Sequence, residues 1–421
     1  MNQLEPIATA PVLELTPHDL AGLLDELRTY HAIFSPLFER REQRAWSQEY
    51  LHGLLLELPR KSIEPMMLAL RGADRNAVRA MQQFLSEGAW DDRAILQRLW
   101  PQIDADLGDD DGVLILDGSD FPKQGSESVA VQRQYCGELG KTANCQAGVF
   151  LAYASPHGYT LLHRRLYLPQ AWLTDPAYTE RRQACGVPKD LTFTTKPMLG
   201  WAMIQALVQA GTLRCRWVTC DEAFGSDTGL LDKIAGIGLW YFAEVPHDTR
   251  VWRDRPATAR RPWSGRGPKP KRARLVPDAP APQTVADLAA QLPVDQWSRQ
   301  VIQEGSQGPQ VAEFAFVRVS AVRDGLPGPE VWLVLRRSLT DRELKTYLCN
   351  APAEVPQQRL VRTSGMRWPI ESCFETGKQE LGMGDYEVRS WQGWHHHMTL
   401  VIVALGFLVR VQDRLKKTLP R

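Results

Sequence analysis

Val113-Leu-Ile-Leu-Asp117 is a short apolar run that closes on a carboxylate, and Arg216-Trp-Val-Thr-Cys-Asp221 repeats the device further along the chain. Runs of this length, bounded by turn residues, predict buried β-strands. Between them, AGVFLAYAS (147–155) and YTLLHRRLYLP (159–169) read as two more strands, joined at Pro156-His157-Gly158. Residues 196–210 have helical spacing, with Trp201, Ile204 and Leu207 or Val208 on one face. A second helix at about 228–235 leads into the strand LWYFAEVP (239–246). The order strand, strand, strand, helix, strand, helix, strand predicts an α/β fold on a sheet with a mixed edge.

This core, first part 109–246, is flanked on both sides. Residues 1–108 read as an N-terminal helical domain: Leu20, Leu23, Leu24 and Leu27 recur at helical spacing, and the pattern resumes from Tyr50 and again from Ala77. Such a domain serves packing or dimerisation, or binds DNA. Residues 247–350 break the alternation with a Pro- and Arg-rich stretch followed by β-like AEFAFVRVSAV (312–322) and EVWLVLRRS (330–338). They predict a β-rich insertion carrying a basic loop. Core helices return over 351–421.

The 421 residues carry a net charge of only +1, so overall charge says nothing about nucleic acid, but the charge is polarised. Residues 102–120 hold seven Asp and no Lys or Arg, whereas 250–274 hold ten Lys or Arg against the single acid Asp254. Seven cysteines without a CxxC pair argue against a disulfide framework or a zinc site. The N-terminus lacks the basic start of a signal peptide, and the apolar run near 399–409 is too short to span a membrane. A reduced cytoplasmic protein is the expectation.

Three carboxylates carry the chemistry. Asp117 and Asp221 end strands, where α/β active sites form, and Glu371 lies in the first turn of a helix opened by Pro369 and stopped by Gly382. Ile370, Phe374 and Leu381, with Cys373, form that helix's buried stripe, and Lys378 lies two turns beyond Glu371 on its own face. Three hard oxygen ligands suit Mg²⁺ or Mn²⁺, and a pair of such ions serves in-line phosphoryl displacement. Singly, each acid is more ordinary: a turn residue at a strand end, or a solvated helix Glu. Asp120 is a rival for the first position but lies past the strand end.

The chain resembles the DDE transposases of bacterial insertion sequences, which have an RNase H-like core and a β insertion before the catalytic Glu. The matching residues are Asp117 in LILDGSDFPKQG, Asp221 in WVTCDEAFG and Glu371 in RWPIESCFETGKQELG. Arg367, Glu371 and Lys378 match in register the signature Tyr-x-x-Arg-x-x-x-Glu-x-x-x-x-x-x-Lys, with Ser364 at its Tyr position. The resemblance implies two metal ions held by Asp117, Asp221 and Glu371. It also implies cleavage of double-stranded DNA at a transposon end, strand transfer into target DNA, and a dimer on the DNA. Arg367 and Lys378 would grip phosphate. A nuclease without strand transfer and a non-catalytic DNA-binding relative are the alternatives.

Two further features bear on DNA. Arg266, Lys269, Lys271, Arg272 and Arg274 form a basic loop suited to phosphate contacts rather than base reading. His395-His396-His397 cannot all reach one ion from a helix, so polar helix-start or DNA-backbone roles are expected there.

Overall fold

The helical periodicity of the first hundred residues resolves into α1 (Pro17–Ala32), α2 (Arg41–Leu55), α3 (Ile63–Arg71), α4 (Arg75–Glu87) and α5 (Asp92–Leu107). Asp74 and Asp91 start α4 and α5 by accepting hydrogen bonds from the next free backbone N–H groups, Asn76 and Ala77 for the one, Arg93 and Ala94 for the other. The computed structural model describes residues 17–260, 271–305 and 308–418. Two units account for these residues: 17–216 with 368–418, and 217–367.

In the first unit, β1 (Val113–Pro122), β2 (Gln132–Cys136), β3 (Lys141–Ser155) and β4 (Gly158–Tyr167) follow α5. β3 is the spine of this sheet: β1, β2 and β4 all pair with it, antiparallel. The short strand β2 carries no apolar run, and nothing in its sequence predicts it. The chain continues through α6 (Gln170–Thr174), α7 (Thr179–Ala184) and α8 (Lys196–Ala210). Thr195 caps the start of α8, and Gly211 closes it in the left-handed conformation. α8 lies so close to β1 that a Cβ on Gly200 would come within 2.4 Å of the Leu116 side chain.

The second unit begins with β5 (Trp217–Cys220), α9 (Glu222–Gly225), α10 (Thr228–Gly236) and β6 (Trp240–Glu244). β5 and β6 run parallel, in register from Trp217 opposite Trp240. Then come β7 (Arg250–Trp252), β8 (Thr258–Arg260), β9 (Ala273–Leu275), β10 (Gln283–Thr284), α11 (Val285–Gln291), β11 (Ser298–Gly305), β12 (Gly308–Arg323), β13 (Leu326–Ser338), β14 (Leu344–Cys349) and α12 (Gln357–Thr363). Within this unit the strand order is β10-β7-β12-β13-β14-β6-β5, with β11 against β12. The β14–β6 pairing is antiparallel, so this unit joins one parallel pair, β5 and β6, to a run of antiparallel strands. β8 and β9 pair apart as a two-stranded ribbon.

The chain returns to the first unit with α13 (Trp368–Glu380) and α14 (Trp391–Thr418). Residues 393–407 of α14 are buried all round, His395, His396, His397 and Thr399 included. α2, α4, α5 and β4 pack around it. Tyr30 reaches it from α1, its hydroxyl donating to the Val403 carbonyl at 3.2 Å. The architecture is mixed α/β with an N-terminal helical region, the RNase H-like class expected from the sequence. No helix among the described residues is long and apolar enough to cross a membrane.

Burial around α14 includes one full charge. Arg164 of β4 is wholly buried and pairs with Asp92 at the start of α5, while donating to Thr399 Oγ1 at 2.5 Å and to the His395 carbonyl at 3.2 Å. Burial alone would raise the Asp92 carboxyl, but the Arg164 charge, with His395, His396 and the Arg164 hydrogen bond, holds it well below the usual range. Because the folded value is depressed, this pair's stabilisation is present above the ordinary aspartate range and is lost as pH falls below it. Asp92→Ala strands a buried guanidinium and should destabilise the protein by about 3–5 kcal/mol. Urea unfolding at neutral pH measures the loss. The variant's deficit should shrink in acid, and a cost below about 1 kcal/mol at neutral pH would show that Arg164 finds other compensation.

Candidate active site

β1 is buried on both faces, which is why its first residues are apolar without alternation until Asp117. Leu116 points at α8. Asp117 points the other way, because it sits directly opposite Phe150 on β3 and antiparallel partners share a face. Phe150 meets Phe374 of α13 with ring centroids 5.3 Å apart. Phe121, two positions past Ser119 on that same face, lies 5.6 Å from the Lys378 ammonium. Contacts on both sides of Asp117 therefore place it on the face of β1 that α13 covers. Its Oδ1 accepts the Gly118 N–H at 2.7 Å.

α13 has two stripes. Ile370, Cys373 and Gly377 are buried against the core. Glu371, Phe374, Glu375 and Lys378, at positions i, i+3, i+4 and i+7, share another face. Together with Gly118, Ser119, Asp120, Gly137, Glu138 and Gln379 they line a pocket of about 460 Å³. The structure thus brings Glu371 and Lys378 to one pocket beside β1. Asp120, the rival acid, also lines it, but alternation puts Asp120 on the opposite parity to Asp117, and its Oδ2 accepts the Gly137 N–H at 2.6 Å. Glu138 is a residue that sequence reasoning missed: its carboxylate pairs with Lys378. Nothing in the hairpin sequence Tyr135-Cys-Gly-Glu-Leu-Gly140 announces this contact.

α13 is anchored at its far end. Gly382, at φ 61°, turns the chain, and the Met383 N–H returns to the Gly377 carbonyl at 2.8 Å. Lys61, between α2 and α3, donates to the carbonyls of Glu380 and of Leu54, the latter at 2.9 Å. A cation at a helix C-terminus satisfies its orphan carbonyls and suits the dipole.

The remaining expected residues lie in the second unit. Asp221 follows β5 and caps α9, accepting the Phe224 N–H at 3.3 Å. Burial raises its carboxyl above the ordinary value; the Phe224 hydrogen bond and the Arg367 charge pull against this, while Glu244 adds to it. Arg367, half-buried, is thus within electrostatic reach of Asp221 and of Tyr347. Ser364 is buried at the end of α12, its hydroxyl donating to the Val361 carbonyl at 2.6 Å. Lys271, Arg272 and Arg274 are exposed on and beside β9, whereas Arg266 and Lys269 fall outside the described residues.

Two expectations are corrected. β1 keeps pairing with β3 as far as Pro122 after its apolar run stops, so Asp117 lies in mid-strand and Asp120 lies within the strand and not past its end. His395, His396 and His397 do stand near the start of α14, but all three are buried and cannot meet a DNA backbone. His396 stacks on Trp90 at 3.6 Å, His397 Nδ1 shares a 2.8 Å hydrogen bond with the Tyr50 hydroxyl, and His395 Nδ1 bonds the Trp391 carbonyl at 2.8 Å. Burial holds them neutral, His396 down to about 4 and the other two to about 3.

Among the described residues no group of three or more His, Cys, Asp or Glu is gathered in metal-ligand geometry. The donor chemistry nonetheless fits a hard divalent cation: the pocket by Glu371 is lined by carboxylates and contains no His or Cys. A family model described as DDE superfamily endonuclease matches residues 33–309. The match takes in Asp117 and Asp221 and ends before Glu371. No curated protein matches the chain.

Asp221 generates a stability test. Its native carboxyl is raised, so the native state keeps a proton that the unfolded chain has already released, and stability falls as pH climbs from the ordinary aspartate range through the raised value. Asp221→Asn keeps an oxygen to cap α9 and removes the charge. In chelator-treated protein it should melt higher than wild type at neutral pH, with the gap closing in acid. Thermal melts over a pH series measure this, and a variant that melts lower throughout would show that the carboxylate is stabilising as it stands.

Proposed function

Starting from the fact that this chain belongs to the DDE superfamily of endonucleases, we propose that it is a transposase, cutting double-stranded DNA at the ends of an element and joining those ends to target DNA. The observation that carries this reading is the pocket beside β1, where Glu371 and Lys378 share one face of α13 on the side to which Asp117 points. A carboxylate and an ammonium two turns apart on one helix set an anionic ligand for a metal cation beside a cationic anchor for a phosphate. Their spacing after Arg367 is that of the transposase signature.

In this proposal Asp117, Asp221 and Glu371 hold two divalent ions, Mg²⁺ or Mn²⁺, which when bound neutralise charge developing on the phosphoryl oxygens and favour ionisation of water. Water attacks phosphorus in line, the bond to the 3′ oxygen breaks, and the leaving oxygen takes up a proton to become a 3′-hydroxyl. That hydroxyl attacks a phosphodiester of the target, forming one bond to phosphorus and breaking another, so joining needs no external energy source. Lys378 and Arg367 hold phosphate oxygens at the cut. Lys271, Arg272 and Arg274, with Arg266 and Lys269, neutralise phosphates further along the duplex.

Three substitutions test the acids separately: Asp117→Asn, Asp221→Asn and Glu371→Gln. Each should abolish nicking of a plasmid carrying the element's ends, by at least about 10³-fold, while leaving duplex binding within a small factor of wild type. EDTA should do the same to the unmodified enzyme, with Mg²⁺ or Mn²⁺ restoring it. An acid whose replacement leaves near-normal nicking is not part of the site. Pre-cut ends that are never joined to a target plasmid would leave a nuclease without strand transfer.

The basic ribbon makes a separate forecast. Removing one phosphate-neutralising side chain should reduce the slope of log affinity against log salt by roughly 0.9. Replacing Lys271, Arg272 and Arg274 by Ala should flatten the slope on specific and random duplex alike, and an unchanged slope would remove β8–β9 from the DNA track.

A further inference from the structure

Lys378 is already engaged in this structure, by the carboxylate of Glu138. Glu138 sits at the tip of the turn between β2 and β3, a three-residue 3-10 turn over Gly137–Leu139 closed by Gly140 at φ 61°. The backbone of that turn is fixed from below, since the Gly137 N–H donates to Asp120 Oδ2 at 2.6 Å and β2 pairs with β3 from Cys136 opposite Lys141. The Glu138 side chain is not fixed in the same way: it is 44% exposed and reaches Lys378 across the mouth of the pocket. Four carboxylates line that pocket, Asp120, Glu138, Glu371 and Glu375, against one Lys. A phosphate approaching it meets an acidic surface whose one lining cation among the described residues is paired.

We propose that Glu138 is a resident competitor for DNA phosphate: it occupies Lys378 in the DNA-free protein and must be displaced by a backbone phosphate before the cut strand seats. The competition is an exchange of one oxyanion for another at the same ammonium. It needs rotation of the Glu138 side chain alone, because the turn that carries it stays anchored to Asp120. A partly exposed ion pair of this kind is weak, enough to tune affinity severalfold without closing the site. Glu138 thereby sets the threshold of DNA concentration and salt at which the pocket fills. The inference rests on the assignment of Lys378 to a DNA phosphate.

A double-mutant cycle on binding tests it, using Glu138→Gln, Lys378→Ala and the pair, with fluorescence anisotropy on a short random-sequence duplex in the presence of Ca²⁺. Glu138→Gln should tighten binding roughly threefold, the size of a lost exposed ion pair. Lys378→Ala should weaken it, and adding Glu138→Gln to Lys378→Ala should change nothing further. If Glu138→Gln tightens binding equally in both backgrounds, Glu138 only repels DNA at a distance and the competition is refuted. If Glu138→Gln has no effect while Lys378→Ala weakens binding, the competition is refuted and the phosphate role of Lys378 stands. If Lys378→Ala leaves binding unchanged, the assignment of Lys378 falls, and the competition with it. Glu138 is exposed and makes no core contact, so a folding failure of Glu138→Gln is not expected, and a thermal melt of each variant confirms it.

Discussion

α14 must be buried on every side, and much of the first unit follows from that demand. A helix whose residues 393–407 are all inaccessible to water needs neighbours around its whole circumference. The sheet supplies one wall through β4, and the N-terminal helices α2, α4 and α5 supply others. Two of its histidines find partners on other segments, Tyr50 for His397 and the Leu85 carbonyl for His396, while the His395 ring bonds the Trp391 carbonyl within α14 and its backbone carbonyl accepts from Arg164. The histidines therefore act as keys that fix which helix packs where, and their neutrality under burial is what allows them to be there.

The candidate site inherits its rigidity from this packing. Phe150 touches both Phe374 of α13 and Trp394 of α14, so the aromatic layer beneath the pocket joins β3 to the two C-terminal helices. Asp117 has a defined direction because Phe150 occupies the position opposite it. Lys61, between α2 and α3, holds the other end of α13, so the N-terminal region steadies the helix that carries Glu371 and Lys378. Preorganisation of this kind matters for phosphoryl chemistry, in which placement of charge does most of the work.

What the sequence discloses and what it conceals divide along the range of the forces involved. The strands that carry Asp117 and precede Asp221 are legible because an apolar run is a local pattern, and Ile370, Cys373 and Leu381 are legible because helical periodicity is local too, whereas Phe374, expected in that buried stripe, lies on the pocket face. Pro369 near the start and Gly382 at the stop likewise speak through short-range backbone preferences. The burial of the histidine triplet is not legible, because it depends on Tyr50 and Trp90, hundreds of residues away. Glu138 is hidden for a similar reason: its partner Lys378 meets it only after β3 and α13 have come together. β2 is silent because a strand of mixed polarity at the sheet's edge has no apolar run to betray it.

The first unit is discontinuous in sequence. Helices α1–α8 and strands β1–β4 are complete by residue 216, yet α14, the helix they pack around, begins at Trp391. During synthesis the early segments emerge with their apolar faces uncovered, and the core stays open until α14 has left the ribosome. A message interrupted anywhere before α14 would therefore yield no folded first unit with a weakened site, but a chain that cannot complete its interior and is open to aggregation or proteolysis. Loss of the stretch of message that encodes α14 would remove the interior on which every other element of this unit rests.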